Sequence, residues 1–308
     1  MQYKILFLIF VILLILLIFI LKRRNIENLE NKYDLDDIIN HYNSNALISR
    51  IVKINKNNFY KRTNLPKTER IDLLIEDLNY FVDNHLHKLK RSIILNILDH
   101  PFKSVCISAK NHKNFVNNDK IKKVYAENWR DNPHPKLTII PIGFESKSFL
   151  NGLHGKMIDI SKKQKNINSK PLKILNNTHF LIHKKPKSGS YNQRQEVLDE
   201  LKNNKLVDFW KKKKTKEETW ELHNKYSFEL CPEGNGLDTH RFYEALFLNT
   251  IPIVKKNTLE PMYKNFPCVI VDEWSEITKE NCIKWKNELQ DRIENEKYKL
   301  KLEFWFNK

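Results

Sequence analysis

The side chains best suited to chemistry fall in residues 232–244, where a glycine loop runs into the start of a helix. Gly234 and Gly236 flank Asn235, and such a concentration of glycine indicates positive φ angles or a close approach of the backbone to a ligand. The following helix presents unpaired N–H groups and the positive end of its dipole, and Arg241 adds a planar fork of donors. The pattern predicts a phosphate site, although a plain turn with a salt bridge on the helix surface would carry the same residue types.

Three more side chains of this segment have predicted roles. Asp238 is expected to be the N-cap of the helix, because aspartate accepts hydrogen bonds from the free N–H groups of a first turn. Glu244 lies one turn beyond Arg241 on the same helix face, where its carboxylate would accept a hydrogen bond from a ribose or sugar hydroxyl. His240 has two open interpretations: it bonds a donor phosphate, or it pairs with Glu244.

Alternating elements are predicted to hold this segment in place. One apolar strand, residues 228–231, ends at Pro232, and another, residues 251–254, follows the helix. The C-terminal half also contains predicted strands at 172–175 and 269–271, and helices at 193–201, 217–224, near Leu259 and at 279–302. Strands separated by helices predict an α/β fold with a parallel, doubly wound sheet, in which ligands collect at the carboxyl ends of the strands.

The segment from Lys225 to Thr278 resembles the signature of the exostosin-like glycosyltransferases, family 47. Shared features are the proline, the glycine loop, Asp-Thr-His-Arg, Glu-Ala-Leu, Ile-Pro-Ile-Val, and the later runs 267–271 and 272–278. Glu233 departs from the family, in which a basic residue often follows the proline, and this removes a possible phosphate partner. The resemblance implies a GT-B-like fold of two Rossmann-like halves with a ligand cleft between them.

The resemblance also implies an activity, the transfer of a hexosyl or pentosyl group from a nucleotide sugar to a glycan or glycoprotein. A UDP-sugar is the expected donor, bound as a substrate with no resident cofactor. Arg241 would stabilise the leaving diphosphate. The donor-binding residues would be Gly234, Asn235, Gly236, Asp238, His240, Arg241 and Glu244, with added positive charge from Arg194 and from Lys184 or Lys185. Glu233 and Glu244 are too far apart for the E-x7-E pair of retaining two-domain transferases, so inversion is expected.

The catalytic base is expected in the N-terminal half. Glu145 follows a predicted strand and a turn, and it is the first candidate, although a plain turn carboxylate fits the same pattern. Other candidates are Glu127, Asp131 and His134. Trp129 is interpreted either as a platform for the acceptor or as a buried aromatic residue.

No metal site is predicted. The four cysteines, Cys106, Cys231, Cys268 and Cys282, form no CxxC pair. The Asp-x-Asp run at residues 34–36 begins a helical pattern near the membrane segment, whereas a metal-binding run of this type would end a strand. Transfer is therefore expected to be independent of a protein-bound metal.

The N-terminus predicts a membrane anchor over residues 1–24. Residues 5–21 are apolar and would span about 26 Å as a helix, and the run lacks the small residues of a signal-peptide cleavage site. The basic residues that follow favour a cytosolic C-terminal domain by the positive-inside rule, whereas the resemblance implies the lumenal side of the Golgi or ER. The two arguments conflict, and the orientation stays open.

Composition divides the rest of the chain. A polar stalk is predicted over 25–70, an acceptor-side half-domain over 71–151, a linker over 152–171 and a nucleotide-sugar-binding half-domain over 171–308. The first half-domain should contain a helix over 71–89 and strands at 104–108, 122–126 and 137–141.

The chain is strongly basic, with 54 Lys and Arg against 37 Asp and Glu, and a net charge of +17. Its densest basic run, residues 211–214, has no interleaved aromatic residues for base stacking, so no nucleic acid partner is expected. Two alternatives to an active enzyme remain: a basic, membrane-tethered binding module, or a degenerate transferase that acts as a partner subunit.

Overall fold

The computed structural model describes residues 70–75, 78–89, 92–98, 115–131, 133–145, 153–178, 191–210, 214–234 and 236–306. The predicted membrane anchor, most of the stalk, the Asp-x-Asp run, the strand at 104–108, Lys184, Lys185 and Asn235 lie outside these residues. In the described ranges no helix is both long and apolar enough to cross a membrane. The fold is α/β and Rossmann-like, with two parallel sheets, so the predicted fold class is confirmed at that level.

The N-terminal sheet contains β1 Arg70–Leu74, β2 Ile93–Leu98, β3 Ile121–Ala126 and β4 Leu137–Ile139, in that order. The helix α1 (Leu78–Asn84) and a 3-10 turn at Leu86–Lys88 lie between β1 and β2. The prediction of one helix over 71–89 is wrong for its first residues, because β1 pairs in parallel with β2 along its whole length. The gain from this long-range pairing overrides the local helical period.

The C-terminal sheet contains β5 Ile174–Asn176, β6 Val207–Phe209, β7 Phe228–Leu230, β8 Ile251–Lys255 and β9 Val269–Val271. Its spatial order is β6-β5-β7-β8-β9, and every neighbouring pair is parallel. Strand order therefore reverses between β5 and β7. In a doubly wound sheet, the crevice outside the carboxyl ends of two such strands is the usual ligand site.

The remaining helices follow from residue 154 onward. They are α2 His154–Lys162, α3 Tyr191–Leu201, α4 Lys216–Leu222, α5 His240–Phe247, α6 Glu260–Tyr263, α7 Lys279–Asn295 and α8 Leu302–Phe306, with 3-10 turns at Ile167–Ser169, His223–Lys225, Trp274–Glu276 and Lys297–Leu300. Two predictions need correction. The linker at 152–171 contains α2, and the long C-terminal helix ends at Asn295, before the turn at Lys297–Leu300.

Helix α5 anchors the glycine loop through its buried side. Phe242, Tyr243 and Phe247 are fully buried, and Phe242 packs against Tyr263 and Phe266 with ring centroids 4.9 and 5.4 Å apart. Aromatic pairs at these separations add a geometric preference to the burial of apolar surface. The first turn of α5, which carries His240 and Arg241, is therefore held rigidly against the core.

The glycine loop lies directly against the N-terminal half. A Cβ atom added at Gly236 would lie 2.8 Å from both terminal side-chain atoms of Asn128, closer than real side chains approach. Asn128 also adopts a positive φ of 51° and its Oδ1 accepts a hydrogen bond from Asp238 N at 2.8 Å. Gly236 is therefore required by a close contact between the halves.

We expect Gly236→Ala to lower the free energy of unfolding by about 1–3 kcal/mol, because overpacking must displace the Asn128 side chain. Gly155→Ala is the matched control. A Cβ at Gly155 meets no atom within 4 Å, and in α2 it should stabilise the protein by up to about 1 kcal/mol. Urea unfolding of the two variants measures both effects. Equal stability of the two variants would contradict the close contact at Asn128.

Candidate active site

The candidate site lies at the carboxyl end of β7, next to the crevice between β5 and β7. Residues 231–239 lead from β7 into α5, and the residues that follow β3 and β4 face them from the N-terminal half. Thr258 Oγ1 also donates to Trp129 O at 2.6 Å. The glycine loop predicted to bind phosphate thus lies at a boundary between the two sheets.

Asp238 ties this boundary together. Its buried carboxylate accepts hydrogen bonds from Ile142 N at 3.1 Å, from Thr239 N at 2.9 Å, from Tyr263 Oη at 3.3 Å and from Tyr243 Oη. Ile142 belongs to the N-terminal half, whereas the other three donors belong to the C-terminal half. The carboxylate is therefore a fixed link between the halves.

The expectation that Asp238 is the N-cap of α5 is wrong. Thr239 occupies that position, and its side chain makes no capping hydrogen bond. Asp238 lies one residue earlier and its carboxylate turns to the buried tyrosines and to Ile142. Because that carboxylate accepts from Thr239 N, an internal anion already lies at the start of the helix.

Burial raises the pKa of Asp238 to about 6, although its hydrogen bonds with Tyr243, Ile142, Thr239 and Tyr263 act in the opposite direction. The cost of removing a carboxylate from water outweighs the gain from its donors. The group is still ionised at neutral pH.

Arg241 is held from two sides at the crevice. Its Nε lies 3.4 Å from Glu229 Oε1, and its Nη2 donates to Asn177 O at 3.2 Å, just beyond the end of β5. These contacts leave further N–H groups of the guanidinium that donate to no described residue, and these groups can bind an anion. Arg241 thus bridges the ends of the two strands between which the strand order reverses.

Glu229 is itself held in place by His223. Its Oε2 lies 2.8 Å from His223 Nε2, and both side chains are almost completely buried. His223 Nδ1 faces the carbonyl oxygens of Thr219 and Trp220, so this nitrogen carries a proton. The chain of contacts from His223 through Glu229 orients the Arg241 guanidinium.

Arg194, on α3, lies on the other side of the loop. Its Nε donates to Glu233 O at 3.0 Å. Burial, and next the positive charge of Arg241, lower the pKa of Arg194 to about 10, so this guanidinium is still charged at neutral pH. Two like charges at this boundary produce a positive potential that favours an anionic ligand.

Glu233 is folded back into the protein. Its Oε1 accepts from Asn257 Nδ2 at 3.1 Å and its backbone N donates to Gln193 Oε1 at 3.2 Å. Burial raises the pKa of Glu233. Glu233 therefore stabilises the glycine loop through its contacts with Asn257 and Gln193.

A second cluster joins both halves around Lys216. Lys216 Nζ lies 2.8 Å from Glu244 Oε1 and 3.3 Å from Glu145 Oε2, while Trp220 Nε1 donates to Glu244 Oε2 at 3.1 Å. Burial acts to lower the pKa of Lys216, but the two carboxylates outweigh it and the net shift is upward. Burial acts to raise the pKa of Glu244, but Lys216 and Trp220 outweigh it, so that carboxylate stays ionised.

His240 connects this Lys216 cluster to the turn after β4. Its Nδ1 lies 2.7 Å from Gly143 O, so Nδ1 carries the proton and donates it to that carbonyl. Burial lowers the pKa of His240, which leaves the ring neutral at pH 7. Among the described residues no hydrogen bond is made to Nε2, so the predicted pairing with Glu244 is not formed, and the predicted contact with a donor phosphate stays a prediction.

Other sequence candidates lie in different surroundings. His134 Nε2 lies 2.8 Å from Asn117 Oδ1, in the turn before β3, and its Nδ1 accepts from Lys136 N at 3.1 Å. Trp129 is buried and packs edge-to-face on Phe115, which supports its interpretation as a core residue. Glu127 is buried as well, at the end of β3.

Two residues of the boundary, Lys216 and Asn128, had no predicted role. Lys216 directly follows Thr215, the N-cap of α4, and nothing in that position indicates its reach to Glu145 and Glu244. Asn128 follows β3 and lies between Glu127 and Trp129, which both had predicted roles. A local signal did exist for Asn128, since asparagine is the residue type that most readily adopts a positive φ after glycine.

Comparison with protein-family models gives no match to this chain, and comparison with curated proteins gives none either. In the part of the chain that the structure describes, no group of three or more His, Cys, Asp or Glu side chains is arranged to hold a metal ion. The family resemblance and the metal-independent chemistry accordingly remain predictions.

Asp238 should make stability fall as pH rises. Its pKa is about 6 in the folded protein against an ordinary 3.8, so the folded state holds the proton more tightly. The stabilisation that this raised pKa contributes is complete below about pH 4 and is lost as pH rises through 6, a change of about 3 kcal/mol in the free energy of unfolding. The unfolding free energy of the wild type minus that of Asp238→Asn, measured from pH 4 to 7.5, should therefore decrease by an amount of that order as pH rises. A difference that increases with pH would mean that the fold lowers this pKa.

Proposed function

We propose that this chain is a glycosyltransferase that moves a sugar from a nucleotide-sugar donor to a glycan or glycoprotein acceptor. The observation that carries the proposal is the pair Arg194 and Arg241 at the end of the crevice between β5 and β7, beside a glycine loop. A nucleoside diphosphate needs such a place, because cationic donors there stabilise the charge on the leaving diphosphate. The proposed arrangement is GT-B-like, with the exostosin-like family 47 as the proposed family.

The proposed donor site has two parts. Arg241 and Arg194 contact the diphosphate, together with the loop that contains Gly234, Asn235 and Gly236. Glu244 was predicted to bind a ribose or sugar hydroxyl, and its carboxylate can still accept a further hydrogen bond beside Lys216 and Trp220. Lys184 and Lys185 remain predicted sources of positive charge.

The geometry supports His240 over Glu145 as the base that removes the proton of the acceptor hydroxyl. Glu145 is paired with Lys216, and a neighbouring cation makes a carboxylate a weaker base. His240 is neutral, its Nδ1 proton is fixed on Gly143 O, and Nε2 carries the lone pair that a base needs. Its position beside the turn after β4 lets it serve a substrate bound between the halves.

The remaining parts of the proposal come from the sequence. An inverting reaction, a UDP-sugar donor and an anchor in the membrane at residues 1–24 are proposed, with the orientation open between the cytosolic and lumenal sides. The pairing of Glu145 and Glu244 with one lysine is also compatible with a degenerate transferase that has become a partner subunit. Catalytic turnover separates these two functions.

The first test is nucleotide binding. We expect uridine or guanosine diphosphate to raise the melting temperature of the full-length protein in detergent, because a ligand of the native state alone stabilises it. Free sugars and the corresponding nucleosides should have no effect, since they lack the charges that the arginines bind. Unchanged melting with every nucleoside diphosphate at millimolar concentration would contradict the proposal.

The second test concerns His240. His240→Gln should reduce kcat/KM by about 100-fold or more, the range that general base catalysis contributes. In the wild type, kcat/KM should fall as pH drops through the lowered pKa of His240, because only the neutral ring accepts a proton. His134→Gln, in a histidine outside the cluster, is the matched control and should leave the profile unchanged. An unaltered acid limb in His240→Gln would assign the base to another residue.

The third test concerns metal and salt. Transfer should continue in excess EDTA, because side-chain cations are proposed to do the work that a divalent ion does in other transferases. It should weaken as salt rises, since the Debye length is only about 10 Å at 0.1 M ionic strength. If EDTA abolishes turnover and added Mn²⁺ restores it, the protein has a metal site, and the Asp-x-Asp run at residues 34–36 becomes the candidate.

A further inference from the structure

Arg130, in the N-terminal half, has two buried hydrogen-bonding atoms without a partner among the described residues. Its Nε and Nη2 atoms are buried and donate no hydrogen bond among the described residues. A buried, unpaired donor costs free energy, and a charged one costs more, so a functional explanation is called for.

The neighbours of Arg130 place it at the boundary between the halves. Asn128 Oδ1 accepts from Asp238 N at 2.8 Å, and Trp129 O accepts from Thr258 Oγ1 at 2.6 Å. The positive charge of Arg130 also acts on Glu233, where it lowers the pKa of that buried carboxyl against the larger effect of burial. Arg130 therefore lies beside the loop whose backbone oxygen, at Glu233, holds Arg194.

The two unpaired atoms form one chemical unit. Nε and Nη2 lie on the same edge of a guanidinium, and this edge binds two oxygens of one oxyanion at once. Arg292 in this chain shows the filled arrangement, since its Nε and Nη2 donate to Glu296 Oε1 and Oε2 at 2.8 and 3.0 Å. At Arg130 the same edge is buried and no carboxylate of the described chain fills it.

We infer that Arg130 binds an oxyanion bidentately at the boundary between the halves, and that this oxyanion is a phosphate of the diphosphate group. An arginine can only donate, so its ligand must supply acceptors, and the charge favours an anion. The identity of the oxyanion rests on the proposed function; its existence rests on the buried edge of Arg130. Binding would place one cation from the N-terminal half on the same diphosphate as Arg194 and Arg241.

Pyrophosphate titrations of the full-length protein in detergent test this inference. Calorimetry should show that Arg130→Gln weakens pyrophosphate binding at least tenfold, and that Arg130→Lys restores part of it, since a point charge cannot reproduce the bidentate edge. Lys284→Gln removes the same charge from an exposed position on α7 and should bind as the wild type does. Without ligand, Arg130→Gln should melt at or above the wild-type temperature, because it removes buried donors that lack acceptors.

Several results would overturn the inference. The first is a wild-type protein that binds no pyrophosphate, and the second is an Arg130→Gln variant that binds pyrophosphate as tightly as the wild type. The third is an Arg130→Gln variant that melts well below the wild type without ligand, because Arg130 would then have a structural role. A glucuronate titration distinguishes a phosphate from a sugar carboxylate as the oxyanion. If Arg130→Gln loses glucuronate binding but keeps pyrophosphate binding, Arg130 binds a sugar carboxylate and the diphosphate is refuted.

The outcomes also separate this inference from the proposed function. Pyrophosphate binding through Arg130, in a protein indifferent to uridine and guanosine diphosphates, would support the oxyanion site and contradict the transferase. A protein that responds to UDP to the same extent with and without the Arg130 side chain would support the transferase and contradict the role of Arg130.

Discussion

The candidate site depends on one buried carboxylate, that of Asp238. It accepts hydrogen bonds from Ile142 in the N-terminal half and from Thr239, Tyr243 and Tyr263 in the C-terminal half. Carboxylates are rarely buried unless their lone pairs are satisfied, and here the donors come from both sides of the boundary. The glycine loop, the first turn of α5 and the turn after β4 are therefore held in one arrangement.

This carboxylate also changes where an anion can bind. The sequence suggested that the N-terminus of α5 would receive the phosphate, but Asp238 already places a negative charge there. The positive potential comes instead from side chains: Arg194 and Arg241 beside the loop, with Arg130 across the boundary. Arginine suits this task, since it stays charged when partly buried and its donors are fixed in a plane.

Local patterns in the sequence predicted the elements around the motif well. Residues 228–231 and 251–254 correspond to β7 and β8, and the apolar run at 269–271 corresponds to β9, because buried strands of a parallel sheet are short and continuously apolar. Contacts between distant residues could not be predicted. The strand β1 depends on its pairing with β2, and the pairing of Lys216 with Glu145 depends on the packing of α4 against the turn after β4. Asp238 belongs to the same class, since Ile142, its donor in the N-terminal half, lies far away along the chain.

The most direct test of the account is whether a nucleoside diphosphate binds at the boundary formed around Asp238. Hydrogen–deuterium exchange of the full-length protein, with and without saturating UDP, measures this along the backbone. The account predicts slower exchange in peptides that cover residues 231–241, 127–130 and 176–178, and no change in α7. Protection confined to other parts of the chain, or none in these three segments despite binding, would contradict it.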